Sequence, residues 1–189
     1  MGEIVLARHG ETEWSLSGQH TGFTDIPLTD DGRRQGELLG RRLRAWSFDR
    51  VLTSPLRRAA ETCTIAGFPE AETRDDLVEL DYGDYEGMTT PEIREQVPGW
   101  SLWTDGALGG ETPEDVGARL DPLVAELRDF EGDVVIFAHG HVLRVLAARW
   151  LGLPPASGAL FALSTGTVSA LGHERGTAVI RLWNDDAHL

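Results

Sequence analysis

The tightest constraint on this chain is a run of five apolar residues, Val134-Val135-Ile136-Phe137-Ala138, preceded by Gly132-Asp133 and followed by His139-Gly140-His141. A strand with one wet face alternates polar and apolar side chains. An unbroken run instead predicts a strand covered on both faces, as in the interior of a parallel sheet. Parallel neighbours can be joined only by long crossovers, so helices must separate the strands beside it. Two further runs follow the same grammar: Ile4-Val5-Leu6-Ala7 ends on Arg8-His9-Gly10, and Val51-Leu52-Thr53 ends on Ser54-Pro55. The chain is therefore read as α/β with a mostly parallel central sheet.

Helical signals fill the gaps. Thr29 caps a helix with Asp30 and Asp31 in its first turn, and Leu38, Leu39, Leu43 and Trp46 follow at helical spacing, with arginines mostly opposite. Leu56 to Ala66 reads as a second helix, stopped by Gly67-Phe68-Pro69. Thr90-Pro91-Glu92 and Thr112-Pro113-Glu114-Asp115 open two more. The latter carries Val116, Leu120, Leu123, Val124, Leu127 and Phe130 on one stripe. Val142 to Leu151 is a last helix, and Thr167–Gly172 with Ala178–Trp183 reads as a hairpin around Gly176. Ser15 to Pro27 is expected to be a long loop, Asp81 to Gly87 another, and Pro98 to Gly110, with Trp100 and Trp103, an irregular covering loop. At 189 residues the expectation is a single domain over 1–189.

Charge narrows the partners. A net charge of −14 argues against nucleic acid and anionic membranes, and no apolar stretch of the length a bilayer needs (~18 residues) occurs. All 17 basic residues are arginine, so an anion must be held by guanidinium groups and Schiff-base chemistry is excluded. Cys63 is the single cysteine, within a helical pattern, which fits a core thiol and a cytoplasmic location. The oligomeric state is open, a homo-oligomer being compatible with the sequence.

Three strands thus end on polar chemistry: Arg8-His9, Ser54 with Arg57 and Arg58 just after it, and His139-Gly140-His141. Strands of one parallel sheet share an edge, so two arginines and two histidines are expected to converge there. Arginines and a neutral imidazole suit phosphoryl transfer, in which guanidinium groups hold the oxygens and the imidazole attacks phosphorus. These groups supply the parts without a metal. The alternative from the residues alone is a metal held by His139 and His141 with an acid such as Asp81.

The strings Arg8-His9-Gly10-Glu11-Thr12, Ser54-Pro55-Leu56-Arg57-Arg58-Ala59 with Thr62, Glu79 before Asp81-Tyr82-Gly83, and Ala138-His139-Gly140 resemble the histidine phosphatase superfamily. The match runs in order from Val5 to about Leu151. It is nearest to sedoheptulose-bisphosphatase-like sugar phosphatases and bacterial broad-specificity acid phosphatases. The resemblance implies a three-layer α/β/α sandwich, like phosphoglycerate mutase, with its site at the strand carboxyl ends. It implies His9 as nucleophile forming a phosphohistidine, Arg8, Arg58 and His139 gripping the phosphoryl oxygens, and Glu79 as proton donor. Ser15, Thr21, Gly22, Tyr82, Gly140 and His141 would line the substrate side, Arg57 would face outward, and no cofactor or metal is implied. The implied partner is a small phosphorylated metabolite such as a sugar phosphate.

Two departures bear on the reaction. Ser15 stands where mutases usually have asparagine, and between Tyr82 and Thr112 only Arg94 is available for the second phosphate that a mutase holds. Hydrolysis is therefore expected over cofactor-dependent phosphoglycerate mutase chemistry, which is the alternative. A non-catalytic phosphoprotein-binding module would need neither His9 nor Glu79.

Overall fold

In the computed structural model, which describes residues 2–189, the central apolar run is strand β4 (Val134–Ala138). It lies between β1 (Ile4–Arg8) and β2 (Arg50–Thr53), parallel to both. All five of its residues are fully buried. A two-residue strand, β3 (Glu72–Thr73), continues the sheet beyond β2, again parallel. On the other side β5 (Val168–Glu174) runs antiparallel to β1, and β6 (Thr177–Asp185) antiparallel to β5. The order is β3-β2-β4-β1-β5-β6, so the sheet is mostly parallel with an antiparallel hairpin at one edge.

The helices form two outer layers. Ile4, Leu6, Leu52, Val134 and Ile136 face α6 (Pro113–Asp129) and α7 (Gly140–Trp150) in one core. Val5, Ala7, Val135 and Phe137 face α2 (Asp30–Leu43) and α3 (Arg57–Ile65) in the other. Successive strand residues point to opposite faces, so covering both faces explains why the runs Ile4–Ala7 and Val134–Ala138 contain no polar residue. At about 1.5–3 kcal/mol for each fully buried large aliphatic or aromatic side chain, this double burial organises the sandwich. Cys63 lies in the second core with its thiol pushed up to about 12 by burial, a packing group and no nucleophile. Among the described residues no helix is long and apolar enough to cross a membrane.

Several expectations about loops need correction. Ser15 to Pro27 does not start as a loop: α1 (Glu13–Ser17) occupies its first residues. Thr12 and Ser15 form a reciprocal capping box, and Gly18 ends the turn at φ 80°. The Pro98–Gly110 segment likewise contains one helical turn, α5 (Leu102–Asp105), capped by Ser101. The helix at Thr90 is α4 (Thr90–Gln96), with Thr89 as its cap. Trp46 lies beyond the end of α2, so it does not extend that helix's stripe. Strand β3 has no apolar signal at all, because both of its residues are exposed.

Candidate active site

Parallel register builds the site. Arg8 lies opposite Ala138 and Thr53 opposite Phe137, so β1, β4 and β2 finish nearly level. The next residue of each strand, His9, His139 and Ser54, leaves the sheet at one edge. The His9 amide donates to the Ala138 carbonyl at 3.0 Å, and the Ser54 amide to the Phe137 carbonyl at 2.9 Å. The two imidazole rings stand 5.2 Å apart.

His9 is held in one tautomer. Its Nδ1 is 2.7 Å from the Gly10 carbonyl, which can only accept, so Nδ1 carries the proton and Nε2 keeps its lone pair. Burial, with the Arg8 and Arg58 charges beside it, holds its pKa well below the usual imidazole range. The neutral, nucleophilic form therefore prevails at neutral pH. His139 is also kept neutral by burial and by Arg58. Its Nε2 is 2.7 Å from Ser54 Oγ, and its buried Nδ1 has no partner.

Two guanidinium groups lie around these rings, and neither has a carboxylate within 4.0 Å among the described residues. Arg8 Nη1 donates to the Leu163 carbonyl at 2.5 Å, and its Nε is buried and unpartnered. The fully buried Arg58 donates to the carbonyls of Thr21, Gly22 and Thr24, again with Nε left over. Burial pulls both pKa values down while Glu79 pulls them up. Buried charges without counter-ions are costly, so the arrangement favours an anion. Thr62 links the two motifs by accepting from the Gly10 amide and donating to the Arg58 carbonyl. Arg57 pairs with Glu61 on the surface, as expected.

Glu79 replaces a missing helix cap. His139 makes no side-chain cap for α7. The Glu79 carboxylate instead accepts from the amides of His141 at 3.0 Å and Val142 at 2.9 Å, and from Leu80 at 2.9 Å. A helix N-terminus attracts negative charge, so α7 aims the carboxylate. Tyr82 Oη lies 2.6 Å from His141 Nδ1. Burial raises the tyrosine's pKa and lowers that of His141, so both are uncharged.

A cleft of about 180 Å³ is lined by Arg8, His9, Ser15, Thr21, Glu79, Tyr82 and His141 together with Thr12, Gly18, Gln19 and His20. The Ser15 hydroxyl also serves the α1 cap, donating to the Thr12 carbonyl. Arg58, His139, Gly22 and Gly140 form the layer behind this lining. Gly22 joins Glu86 to Arg58 through its amide and carbonyl, while the Arg8 guanidinium lies against Gly140. His20, part of the His20-Thr21-Gly22 string but given no role by the sequence, has its ring 4.7 Å from Tyr82 and 5.6 Å from Trp100. Trp103 stands 5.3 Å from His141, so the covering segment does reach the site. A larger groove of about 720 Å³ between α2 and α3 holds Arg41 and Arg44 but no histidine or cysteine. Arg8, His9, Glu79 and His141 line the smaller one. His139 and His141 bond to Ser54 and Tyr82 respectively, and among the described residues no group of three or more His, Cys, Asp or Glu could hold a metal ion.

A family model described as the histidine phosphatase superfamily (branch 1) matches residues 4–186. The acid phosphatase of Mycobacterium tuberculosis is 44% identical over 177 residues, covering 92% of this chain and 87% of that protein. Sedoheptulose 1,7-bisphosphatase of Saccharomyces cerevisiae is 39% identical over 182 residues, covering 79% and 67%. A 2,3-bisphosphoglycerate-dependent phosphoglycerate mutase of Mesorhizobium japonicum is 37% identical over 163 residues, covering 76% and 78%. The solved structure of an open reading frame product of Mycobacterium tuberculosis superposes with a TM-score of 0.93 at 42% identity, covering 97% of each chain.

Proposed function

The chain belongs to the histidine phosphatase superfamily, and on that premise we propose that it is a phosphomonoesterase acting on small phosphorylated metabolites through a phosphohistidine. The observation that carries this reading is the neutral His9, its Nε2 lone pair free, between two guanidinium groups that lack carboxylate partners. Relatives with phosphatase names support the same reaction class.

The substrate phosphoryl group enters the cleft with its oxygens toward Arg8, Arg58 and His139. The His9 Nε2 lone pair forms an N–P bond as the P–O bond to the leaving group breaks. Glu79, protonated for this step, gives its proton to the departing oxygen, releasing an alcohol and leaving the carboxylate that the three amides hold. Water then attacks phosphorus and returns a proton to the Glu79 carboxylate, the N–P bond breaks, and orthophosphate leaves. Negative charge on the equatorial oxygens is matched by fixed cations and donors, the usual source of rate in phosphoryl transfer. Thr21, Tyr82 and His141 line the leaving-group side with Ser15 beside them, and Gly22 and Gly140 lie behind that lining. Mutase chemistry is less supported: Arg94 is exposed, donates to the Trp100 carbonyl, and is not among the residues that line the cleft.

The test is a rapid quench during turnover. An acid-labile, base-stable phosphoryl group on His9 is expected, with phosphate released in the absence of any bisphosphoglycerate. His9→Ala should lower turnover on the order of 10⁴-fold while still binding inorganic phosphate. Undiminished turnover by that variant would reject the nucleophile.

A further inference from the structure

Glu79 sits on no strand or helix. It follows the short 3-10 turn Asp75–Leu77 and precedes Gly83–Tyr85. General-acid catalysis needs the donor within hydrogen-bond reach of the leaving oxygen, and a misplacement of about 1 Å can cost 10²-fold in rate. The question is what fixes an irregular segment so closely.

One face of the segment is held by the α7 amides already described. The opposite face is held from α6 and the residue just before its cap. Arg119 Nη1 donates to the carbonyls of Asp76 at 2.8 Å and Val78 at 3.0 Å. Its Nε and Nη2 form a two-point bond with the Glu111 carboxylate, at 3.1 and 3.0 Å. Glu111 in turn accepts from the Asp81 amide through Oε2 at 3.0 Å, and its own amide donates to the Asp81 carbonyl at 2.9 Å. One ion pair therefore ties down the backbone at 76, 78 and 81, on both sides of Glu79. Both side chains are four-fifths covered.

The backbones can meet this closely only without side chains between them. A Cβ on Gly110 would lie 2.2 Å from the Asp81 carbonyl oxygen. Gly83, at φ +50°, would bring a Cβ within 2.4 Å of the Leu108 oxygen. The Asp84 amide donates to that same Leu108 oxygen at 2.8 Å. These bonds are concentrated on the residues flanking the proton donor.

We propose that Arg119 and Glu111 are positioning residues: a clamp that holds the Glu79 carboxylate in register with the α7 amides and the leaving oxygen. This rests on the reading of Glu79 as proton donor. The clamp touches no substrate: its hydrogen bonds act through the Glu79 segment, and the charge that Arg119 also presents to His139 is kept in Arg119→Lys. Its loss therefore penalises esters that need a proton on departure and spares those that do not.

The experiment compares an alkyl phosphate with p-nitrophenyl phosphate in the intact enzyme, for Arg119→Lys, Glu111→Gln and Glu79→Gln. Lysine keeps the charge but cannot bridge both carbonyls and both carboxylate oxygens. Arg119→Lys should lower kcat for the alkyl ester about 10- to 100-fold, leave KM near the parent value, and change nitrophenyl phosphate turnover by about threefold or less. Glu111→Gln is close to isosteric and should show the same pattern more weakly, which covers the case in which Arg119→Lys folds poorly. Equal losses on both esters, or no loss on either, in the clamp variants overturns the clamp. If Glu79→Gln itself lowers both esters equally, the donor assignment fails and the clamp with it. A leaving-group effect in Glu79→Gln that is missing from the clamp variants overturns the clamp alone.

Discussion

Two groups of arginines in this molecule are built on opposite principles. Arg50 and Arg74 lie along the β2–β3 edge and share Glu126. Arg50 lies 2.8 Å from Glu72 and 2.6 Å from Glu126, and Arg74 lies 2.7 Å from Asp76 and 3.0 Å from Glu126. Hydrogen bonds donated to these carboxylates, chiefly to Glu72 by Arg50 and to Asp76 by Arg74, raise both arginine pKa values. Arg8 and Arg58 have the reverse environment: burial lowers their pKa values, carbonyls take part of their hydrogen-bonding capacity, and each keeps an unpartnered Nε. The first pair is electrostatically complete. The second is complete only with an anion, which is what distinguishes a binding site from a stabilising network.

The sharpest way to break this contrast is to remove a charge from each group. Arg58→Met should lower turnover about 10²–10³-fold, the scale seen when one transition-state donor is lost. The same variant should lose thermal stabilisation by inorganic phosphate. In the parent, phosphate at 100 times its Kd should add about 2.7 kcal/mol. A phosphate-induced rise in Tm that survives Arg58→Met would place the anion elsewhere.

A second, smaller effect comes from the histidines that burial, with arginine charges beside them, keeps neutral. His9, His139 and His141 all have folded pKa values well below the unfolded value. Below about pH 6.5 the unfolded chain takes up protons that the folded one refuses, so stability is full above that pH and falls as pH drops. The slope should approach about 1.4 kcal/mol per pH unit for each histidine. Urea titrations from pH 7.5 to 5 measure it, and His139→Gln should flatten the slope by one histidine's share, His20 adding to the same slope because burial lowers its pKa too. By the same sign, the acidic limb of kcat/KM that reports His9 should lie well below pH 6.5. A limb at or above that value would mean a solvated, ordinary imidazole.

The smallest effect belongs to the surface group. Arg74→Met should cost about 1 kcal/mol or less in chemical denaturation, since partly exposed ion pairs contribute little, and should leave kcat unchanged. A loss of activity comparable to that of Arg58→Met would erase the distinction between the two groups.

Much of the fold was legible because it is local. The unbroken runs at Ile4 and Val134, the Thr29 and Thr112 caps, and the hairpin around Gly176 all follow from period and turn chemistry, and the structure contains each of them. The missed elements had weak or non-local signals. Strand β3 consists of two exposed polar residues recruited by β2. Helix α1 depends on a capping box with serine as the returning group, a weaker mark than the usual glutamate or glutamine. The convergence of His9, Ser54 and His139 was legible too, because parallel strands must share an edge. The roles of Glu111 and Arg119 were not, because their partners are main-chain atoms about 30 to 43 positions away.

Alone, the sequence determined which strands are buried on both faces, where they end, and that the groups at those ends are cationic and imidazole-bearing. Those properties are fixed by side-chain type and short-range spacing. Tertiary structure decided that His9 offers Nε2, that two guanidinium groups lack carboxylates, and that Glu79 caps a helix from another part of the chain. Each of these depends on which polar atoms are left unsatisfied once distant segments are buried together, a quantity that does not exist until the chain has folded.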